Sequence, residues 1–485
     1  MSLKNNKVVT TFTGLKKYYT VPPFHPSEKF PEYKHDTVDN ENPVYKWVRE
    51  TLFNLGMDKE NYNTPQWNPF KDLIQPGMTV YIKPNTVRHF HVGGGDVLSV
   101  ITHASIVRPI LDYVCIALNN EGRIIVGDSQ VTEGLFDEAM VASQIKDLLD
   151  WYRDNTKVPL ECYDMRINRC TRTWMYGKWG RKKIEQDPRG YTFVDLGDKS
   201  YFKDIDPSRL RIGIASYKEM YKHHCDGKHE YQFPNSFLTS DIVISIPKLK
   251  THRRTAITIA LKNFMGLPSL KDSLPHFITG TPEDGGDQYI HPSKRKDIIL
   301  VLHDIIQTHP FIPVKFVCAV IKKLLWNSSK IIPFKDDIYE AMWYGNDTLW
   351  RTLLDLNRVA FYADKSGKVC DTPQRRHFCI VDGIISGEKD GPVSVDPVEA
   401  GVIMAGYNPV SVDAVASSLM GFDIDKIPLV KKGIEDADHA SPVYFGKLDD
   451  ITVVDNTEEM SFEEFKNKRN LKFEPHPNWK GHVER

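Results

Sequence analysis

The stretch from Ser245 to Gly266, SIPKLKTHRRTAITIALKNFMG, places a run of cations directly after an apolar strand-like segment. These cations are Lys248, Lys250, His252, Arg253 and Arg254. We expect a helix to begin near Thr251 or His252, and a helix N-terminus carries a partial positive charge that disfavours cations. An anion from outside the chain would compensate, since free N–H groups and cations at a helix N-terminus bind phosphate or carboxylate.

Helical spacing in this stretch separates a polar face from an apolar face. The polar face holds Thr251, Thr255, Thr258 and Lys262, and the apolar face holds Ile257, Ala260, Leu261 and Phe264. We assign ligand binding to Lys248, Lys250, His252, Arg253, Thr255, Lys262 and Asn263. The alternative is a solvated basic turn above an ordinary amphipathic helix.

Polar side chains also follow two other apolar runs at the points where we predict strand ends. Lys83 lies near the end of TVYIKP, and Asn85 follows that run and begins a glycine-containing loop. Asp128 is the last residue of RIIVGD. Open α/β sheets bind ligands at the carboxyl ends of their strands, so Lys83 and Asn85 are predicted to hold a second polar group of the same ligand. Asp128 is a candidate catalytic group, and His103 is a candidate acid or base, with a helix-capping role as the alternative.

An acidic segment, IVDGIISGEKDGP, is the counterpart of these cation-rich motifs. Asp382 follows an apolar strand, and Glu388 and Asp390 are predicted to lie in a glycine-flanked loop. Such carboxylates hold hard cations such as Mg²⁺, so we predict a divalent metal at Asp382, Glu388 and Asp390, or a catalytic base at Asp382. An acidic surface loop is the alternative. Asp413 lies in an apolar helical segment, and we expect one of the lysines above to be its partner.

Alternating strand and helix patterns around these motifs predict an α/β fold with a mostly parallel sheet flanked by helices. Residues 1–75 are predicted to form an N-terminal arm that packs on the core, with a helix closed by Gly56. The core spans 76–456, with large helical or irregular insertions at about 165–235 and 268–375. Residues 457–485 are expected to be a peripheral C-terminal tail.

Composition narrows the classes of function. The net charge of −1 provides no global field for nucleic acid. No apolar run reaches the length of a membrane span, and no signal peptide is recognised, so we expect a cytoplasmic protein. The seven cysteines are scattered without a C-x-x-C pair, so an iron–sulfur cluster in this chain is not expected.

Two further segments leave alternatives open. HHCDGKH, from His223 to His229, matches no standard zinc spacing and is interpreted as a substrate-contacting loop. In PVKFVCAVIKKLLW, apolar residues share one helical face with lysines opposite, which is typical of a core-facing helix. The alternative for this segment, within 310–335, is contact with a membrane surface or a partner.

These motifs together resemble the uncharacterised domain-of-unknown-function family numbered 362, over roughly Gly77 to Gly421. The resemblance rests on MTVYIKPN, IIVGDS, DIVISIPKLKTHRRTAITIALKNFMG, IVDGIISGEKDGP and GYNPVSVDAVASSLMG. The family has no generally established activity. Many members carry an added ferredoxin-type cysteine run, which this sequence lacks.

The sequence thus predicts a cytoplasmic enzyme acting on an anionic, phosphorylated or carboxylated, small metabolite, with transfer or cleavage as the reaction class. Two alternatives remain. One is a redox protein that takes electrons, an iron–sulfur cluster or a flavin from a partner. The other is a non-catalytic protein that binds an anionic ligand, with peripheral membrane contact through 310–335.

Overall fold

The computed structural model describes residues 2–172, 179–213 and 215–485. The strands are β1 (Lys7–Phe12), β2 (Thr79–Pro84), β3 (Arg123–Asp128), β4 (Leu160–Asp164), β5 (Asn168–Arg172), β6 (Trp179–Lys183), β7 (Tyr191–Asp195), β8 (Leu210–Arg211), β9 (His224–Cys225), β10 (Lys228–Pro234), β11 (Ile242–Ile246), β12 (Lys248–His252), β13 (Ala256–Thr258), β14 (Phe277–Ile278), β15 (Arg376–Asp390), β16 (Ser394–Val398), β17 (Val402–Gly406), β18 (Thr452–Asp455) and β19 (Glu458–Ser461). The α-helices are α1 (Val44–Leu55), α2 (Ala104–Leu118), α3 (Phe136–Ala142), α4 (Ile145–Asn155), α5 (Tyr217–His223), α6 (Asn235–Leu238), α7 (Ala260–Asn263), α8 (Lys294–Thr308), α9 (Ile312–Asn327), α10 (Leu349–Tyr362), α11 (Pro409–Met420), α12 (Pro428–Glu435) and α13 (Phe462–Lys468).

The main sheet is mixed and confirms the predicted α/β fold. Its strand order is β19-β18-β1-β17-β15-β11-β2-β3-β4. The half from β15 to β4 is entirely parallel, whereas β17 runs antiparallel to both β1 and β15. Every residue of β11 is buried, as expected for a central parallel strand covered on both faces.

Helices cover both faces of this sheet. In β2, Val80 and Ile82 join the cluster that includes α1, α2 and α4, while Tyr81 joins the cluster that includes α10, α11 and α12. This alternation follows from the two-residue period of a strand. The sheet is therefore the middle layer of a three-layer core.

Both chain ends contribute more to the core than the sequence patterns indicate. β1 lies inside the sheet between β17 and β18, so the first residues are part of the core as well as of an arm. The predicted helix that Gly56 closes is present as α1. The C-terminal residues supply β19 and α13, and the side chain of Trp479 is fully buried.

The two insertions contain regular structure. The first contains a β5–β6 hairpin and the three-stranded sheet β7-β10-β9. The second contains the helical pair α8 and α9 and the buried helix α10. Among the described residues, no helix combines the length and apolarity needed to cross a lipid bilayer.

Candidate functional site

The cation-rich stretch forms a β-hairpin, so the predicted helix from Thr251 is wrong. β12 pairs with β13 antiparallel, with His252 opposite Ala256 and Lys250 opposite Thr258. β12 also lies parallel to β15, and this sheet pairing fixes an extended backbone where side-chain spacing alone favoured a helix. The turn ends at Ala256, which has a positive φ of 60°.

The short helix α7 that follows the hairpin already has an internal anion at its N-terminus. The backbone N–H groups of Ala260 and Leu261 donate to the Asp413 carboxylate at 2.7 and 3.2 Å. Burial raises the pKa of Asp413 to about 7, against the effect of these two hydrogen bonds. The prediction that a lysine is the partner of Asp413 is therefore wrong. Because Asp413 already occupies the N-terminus of this helix, the helix dipole gives no reason to expect an external anion there.

A cavity of about 260 Å³ nevertheless lies at the carboxyl ends of β2 and β3, beside the β12–β13 hairpin. Of the residues predicted to form the site, its wall includes Lys83, Asn85, Asp128, Lys250, His252, Arg253, Lys262 and Asn263. The wall also includes Arg88, Arg254, Lys271 and His276, which are not among the residues predicted to form the site. Seven lysine and arginine side chains thus line one cavity.

Two of the predicted residues in this wall neutralise each other. Lys83 Nζ lies 2.7 Å from Asp128 Oδ1, and both side chains are almost completely buried. The other Asp128 oxygen accepts from the N–H and the hydroxyl of Thr86 at 2.8 and 2.7 Å. Asp128 is therefore fully engaged in holding the wall together. Gly266 allows the backbone to pass close to the Lys83–Asp128 pair, because a Cβ at this position would lie 2.2 Å from Asp128 Oδ1.

Other cations in the wall have no carboxylate partner. Among the described residues, Nζ of Lys262 has neither a hydrogen bond nor an ion pair, and burial beside Arg254 and Arg253 lowers its pKa to about 7. Arg253 forms no ion pair within the described part of the chain, and its Nε lacks a hydrogen bond. Lys250 donates only to the carbonyl of Val100, and burial followed by repulsion from Lys248 lowers its pKa well below the ordinary value.

The histidine in this wall is held in one orientation. His252 Nδ1 accepts from the backbone N–H of Arg254 at 3.1 Å, which leaves the proton of the neutral ring on Nε2. Burial, reinforced by Lys262 and Arg253, lowers the pKa of His252 well below its ordinary value. The hydroxyl of Thr255 lies 3.0 Å from the same Nδ1, so Thr255 positions His252 and lies outside the cavity wall.

The remaining predicted residues form a second, separate cluster. Asp382 Oδ1 accepts from the hydroxyl of Tyr18 at 2.5 Å, and Oδ2 accepts from the His103 N–H and from Lys248 Nζ at 3.0 and 3.1 Å. Lys248 and Asp382 are completely buried. The His103 side chain caps α2 by accepting from the Ser105 N–H. These residues lie outside the cavity wall, and each carboxylate oxygen is occupied.

The structure does not bring the three predicted metal ligands together. Asp382, Glu388 and Asp390 lie on the single strand β15, where six residues span about 20 Å. Glu388 accepts from the N–H of Glu474, and Asp390 pairs with His476 at 3.4 Å, so both contact the C-terminal segment. Within the described ranges, no group of three His, Cys, Asp or Glu has metal-binding geometry.

The histidine-rich segment also lies away from the cavity. His224 and His229 are buried in the β9–β10 hairpin, with their Nδ1 atoms 3.3 Å apart. His224 Nε2 lies 2.9 Å from the Ser273 carbonyl, so these rings contribute to the packing of the insertion.

Of the wall residues that the sequence patterns did not assign, some carry no local signal, whereas Arg254 stands in the cation run itself. Lys271 and His276 lie beyond the recognised motifs, and only the tertiary fold returns them to the cavity. Arg254 belongs to the cation run but was not assigned to the site, and it is fixed by Glu340, whose carbonyl accepts from Arg254 Nε at 2.8 Å.

Fold and site together define an α/β protein with a cation-lined cavity at the carboxyl ends of parallel strands. Residues 210–418 match the family described as "Domain of unknown function (DUF362)", which confirms the recognised resemblance over that part of the chain. The match covers the hairpin, α7, β15 and most of α11 and does not extend to the β2 and β3 strand ends. No curated protein matches the chain.

Proposed function

We propose that the protein is a cytoplasmic enzyme acting on a small metabolite that carries a phosphate or carboxylate group and binds in the cavity. The observation that carries this proposal is that Lys262 and Arg253 line the cavity without an anionic partner in the described part of the chain. Buried charges without counter-ions are unfavourable, and an anionic ligand would offset that cost.

The arrangement around Lys262 also suits proton transfer. With a pKa of about 7, its amine exists in both protonation states at neutral pH. A general acid or base works best when its pKa is near the working pH. We assign charge binding to Arg253, Arg254 and Lys250, and proton transfer to Lys262, in a transfer or cleavage reaction at the anionic group.

Calorimetric titration with pyrophosphate and with citrate tests the binding step. We expect Lys262→Met and Arg253→Met each to reduce affinity by roughly tenfold or more, since a charge-assisted hydrogen bond contributes about 1.5–3 kcal/mol. Lys16→Met is the matched control, because the side chain of Lys16 is 76% exposed and lies outside the wall. Wild-type protein that binds neither ligand would contradict the proposal.

A turnover assay separates the enzyme from the non-catalytic alternative. A panel of phosphorylated and carboxylated metabolites is incubated with wild-type protein, and products are followed by mass spectrometry. Product formation that is lost in Lys262→Met supports the enzyme. Tight binding of a panel member with no conversion would instead assign a binding protein.

A further inference from the structure

The helical pair α8–α9 exposes an unusual amount of apolar surface. Of the twenty large apolar side chains exposed among the described residues, thirteen lie between Ile298 and Ile332. We call these thirteen the hairpin surface: Ile298, Val301, Phe311, Ile312, Val314, Phe316, Val317, Val320, Ile321, Leu324, Trp326, Ile331 and Ile332. A cluster of this extent on a monomer marks an interaction site.

In helix α9 the apolar face is exposed to solvent, whereas an ordinary amphipathic helix buries it. Its buried residues are Lys315 and Cys318, whereas Val317 and Leu324 are 54% and 64% exposed. The apolar face thus points away from the protein. The prediction that this helix faces the core is therefore wrong. Lys322 bridges back to His303 on α8 at 2.9 Å, which holds the two helices together beneath the apolar face.

The charge of this region indicates what covers the surface. Residues 305–335 contain five lysines and no acidic residue, in a chain with a net charge of −1. Lys323, Lys330 and Lys335 are exposed and form no ion pair with any described residue. Pairing the surface with a second copy about a twofold axis would bring these lysines together. An anionic partner with an apolar interior complements both properties.

The helical pair α8–α9 is joined to the body of the protein beside the cavity. Arg211 on β8 pairs with Asp304 on α8 at 3.3 Å. Within the unit itself, Lys296 on α8 pairs at 2.5 Å with Asp336, which follows α9. The segment after Asp336 continues to Glu340, which lines the cavity.

We propose that the hairpin surface docks the protein on an anionic lipid bilayer, with the apolar side chains of α9 inserted at the level of the head groups. Amphipathic helices with lysines beside an apolar face bind in this way, and each surface lysine adds to the attraction. The proposal is independent of the ligand in the cavity.

Vesicle flotation with the full chain tests the docking. The probes are vesicles of phosphatidylcholine alone and vesicles of phosphatidylcholine with phosphatidylglycerol. We expect roughly hundredfold tighter binding to the anionic vesicles, about fivefold for each of the three exposed lysines. Lys323→Glu combined with Lys330→Glu should remove this preference.

A matched pair of variants tests the apolar contribution. Val317→Asp should weaken vesicle binding by about tenfold. Val141→Asp, at an equally exposed valine on α3, should leave binding unchanged. Both positions are exposed, so unchanged thermal unfolding will show that the fold is retained.

Three results would overturn the proposal. The first is wild-type protein that binds neither kind of vesicle. The second is equal binding to both kinds, which would remove the role of the lysines. The third is lipid-free dimerisation in sedimentation velocity that Val317→Asp abolishes, which would assign the surface to a second copy of the chain.

Discussion

Replacing Lys262 by Met is expected to stabilise the ligand-free protein while removing its affinity for anions. The side chain keeps its apolar stem in the variant and loses a charge that has no partner among the described residues. Lys83→Met is the contrasting substitution. It makes the same change of side chain, but the amine that it removes is paired with Asp128 at 2.7 Å. The two variants therefore separate an unpaired cation from a paired one.

The magnitude follows from the pKa of Lys262. Lowering it from 10.5 to about 7 disfavours the charged form by roughly 4–5 kcal/mol, at about 1.36 kcal/mol for each tenfold change. We therefore expect the unpaired charge to lower the free energy of unfolding by roughly 4–5 kcal/mol below pH 7. Because the folded-state pKa is depressed, the cost is fully present below pH 7 and declines as the pH rises toward 10.5.

Urea unfolding at pH 6 and at pH 9 measures the effect. We expect Lys262→Met to raise the free energy of unfolding by roughly 4–5 kcal/mol at pH 6 and by about 2 kcal/mol at pH 9. Lys83→Met should lower it by about 3–5 kcal/mol, since it leaves a buried carboxylate without its cation. Destabilisation by Lys262→Met comparable to that of Lys83→Met, or a gain that does not depend on pH, would refute the reasoning.

Further predictions concern the same cavity. Sulfate affinity should fall about tenfold between pH 6 and pH 8 as Lys262 loses its proton, and a flat calorimetric profile would contradict this. Gly266→Ala should lower the free energy of unfolding by about 1–3 kcal/mol, because the new Cβ would lie 2.5 Å from Lys83 Nζ; an unchanged urea midpoint would speak against it. Trp479→Ala should cost about 3–5 kcal/mol and weaken anion binding, since Trp479 Nε1 donates to the Arg253 carbonyl at 2.9 Å; intact affinity in calorimetry would exclude the second effect.

Local signals in the sequence were sufficient for the sheet and for much of the cavity wall. Strand β11 is apolar throughout, and its central parallel position is what such a run predicts. Lys83, Asn85 and Lys250 were assigned from their places after strands, and the carboxyl ends of parallel strands meet in space. This part of the site depends only on residue type and strand order.

Pairing between distant segments decided what local patterns could not. The Lys248–His252 segment has residues that suit a helix face, yet hydrogen bonding with β13 and β15 makes it a strand. Asp382 and Asp390 are near one another in sequence and far apart in space because one extended strand carries both.

Periodicity and residue type in the sequence predict the α/β fold and the run of cations, and its motifs carry the resemblance to the family that residues 210–418 match. Which cations keep a free charge depends on the packing of distant segments, since Asp128 neutralises Lys83 whereas Nζ of Lys262 has no partner in the described ranges. The same packing decides that the apolar face of α9 points outward. Counter-ions and burial are properties of the packed molecule, and residues far apart in the chain supply them.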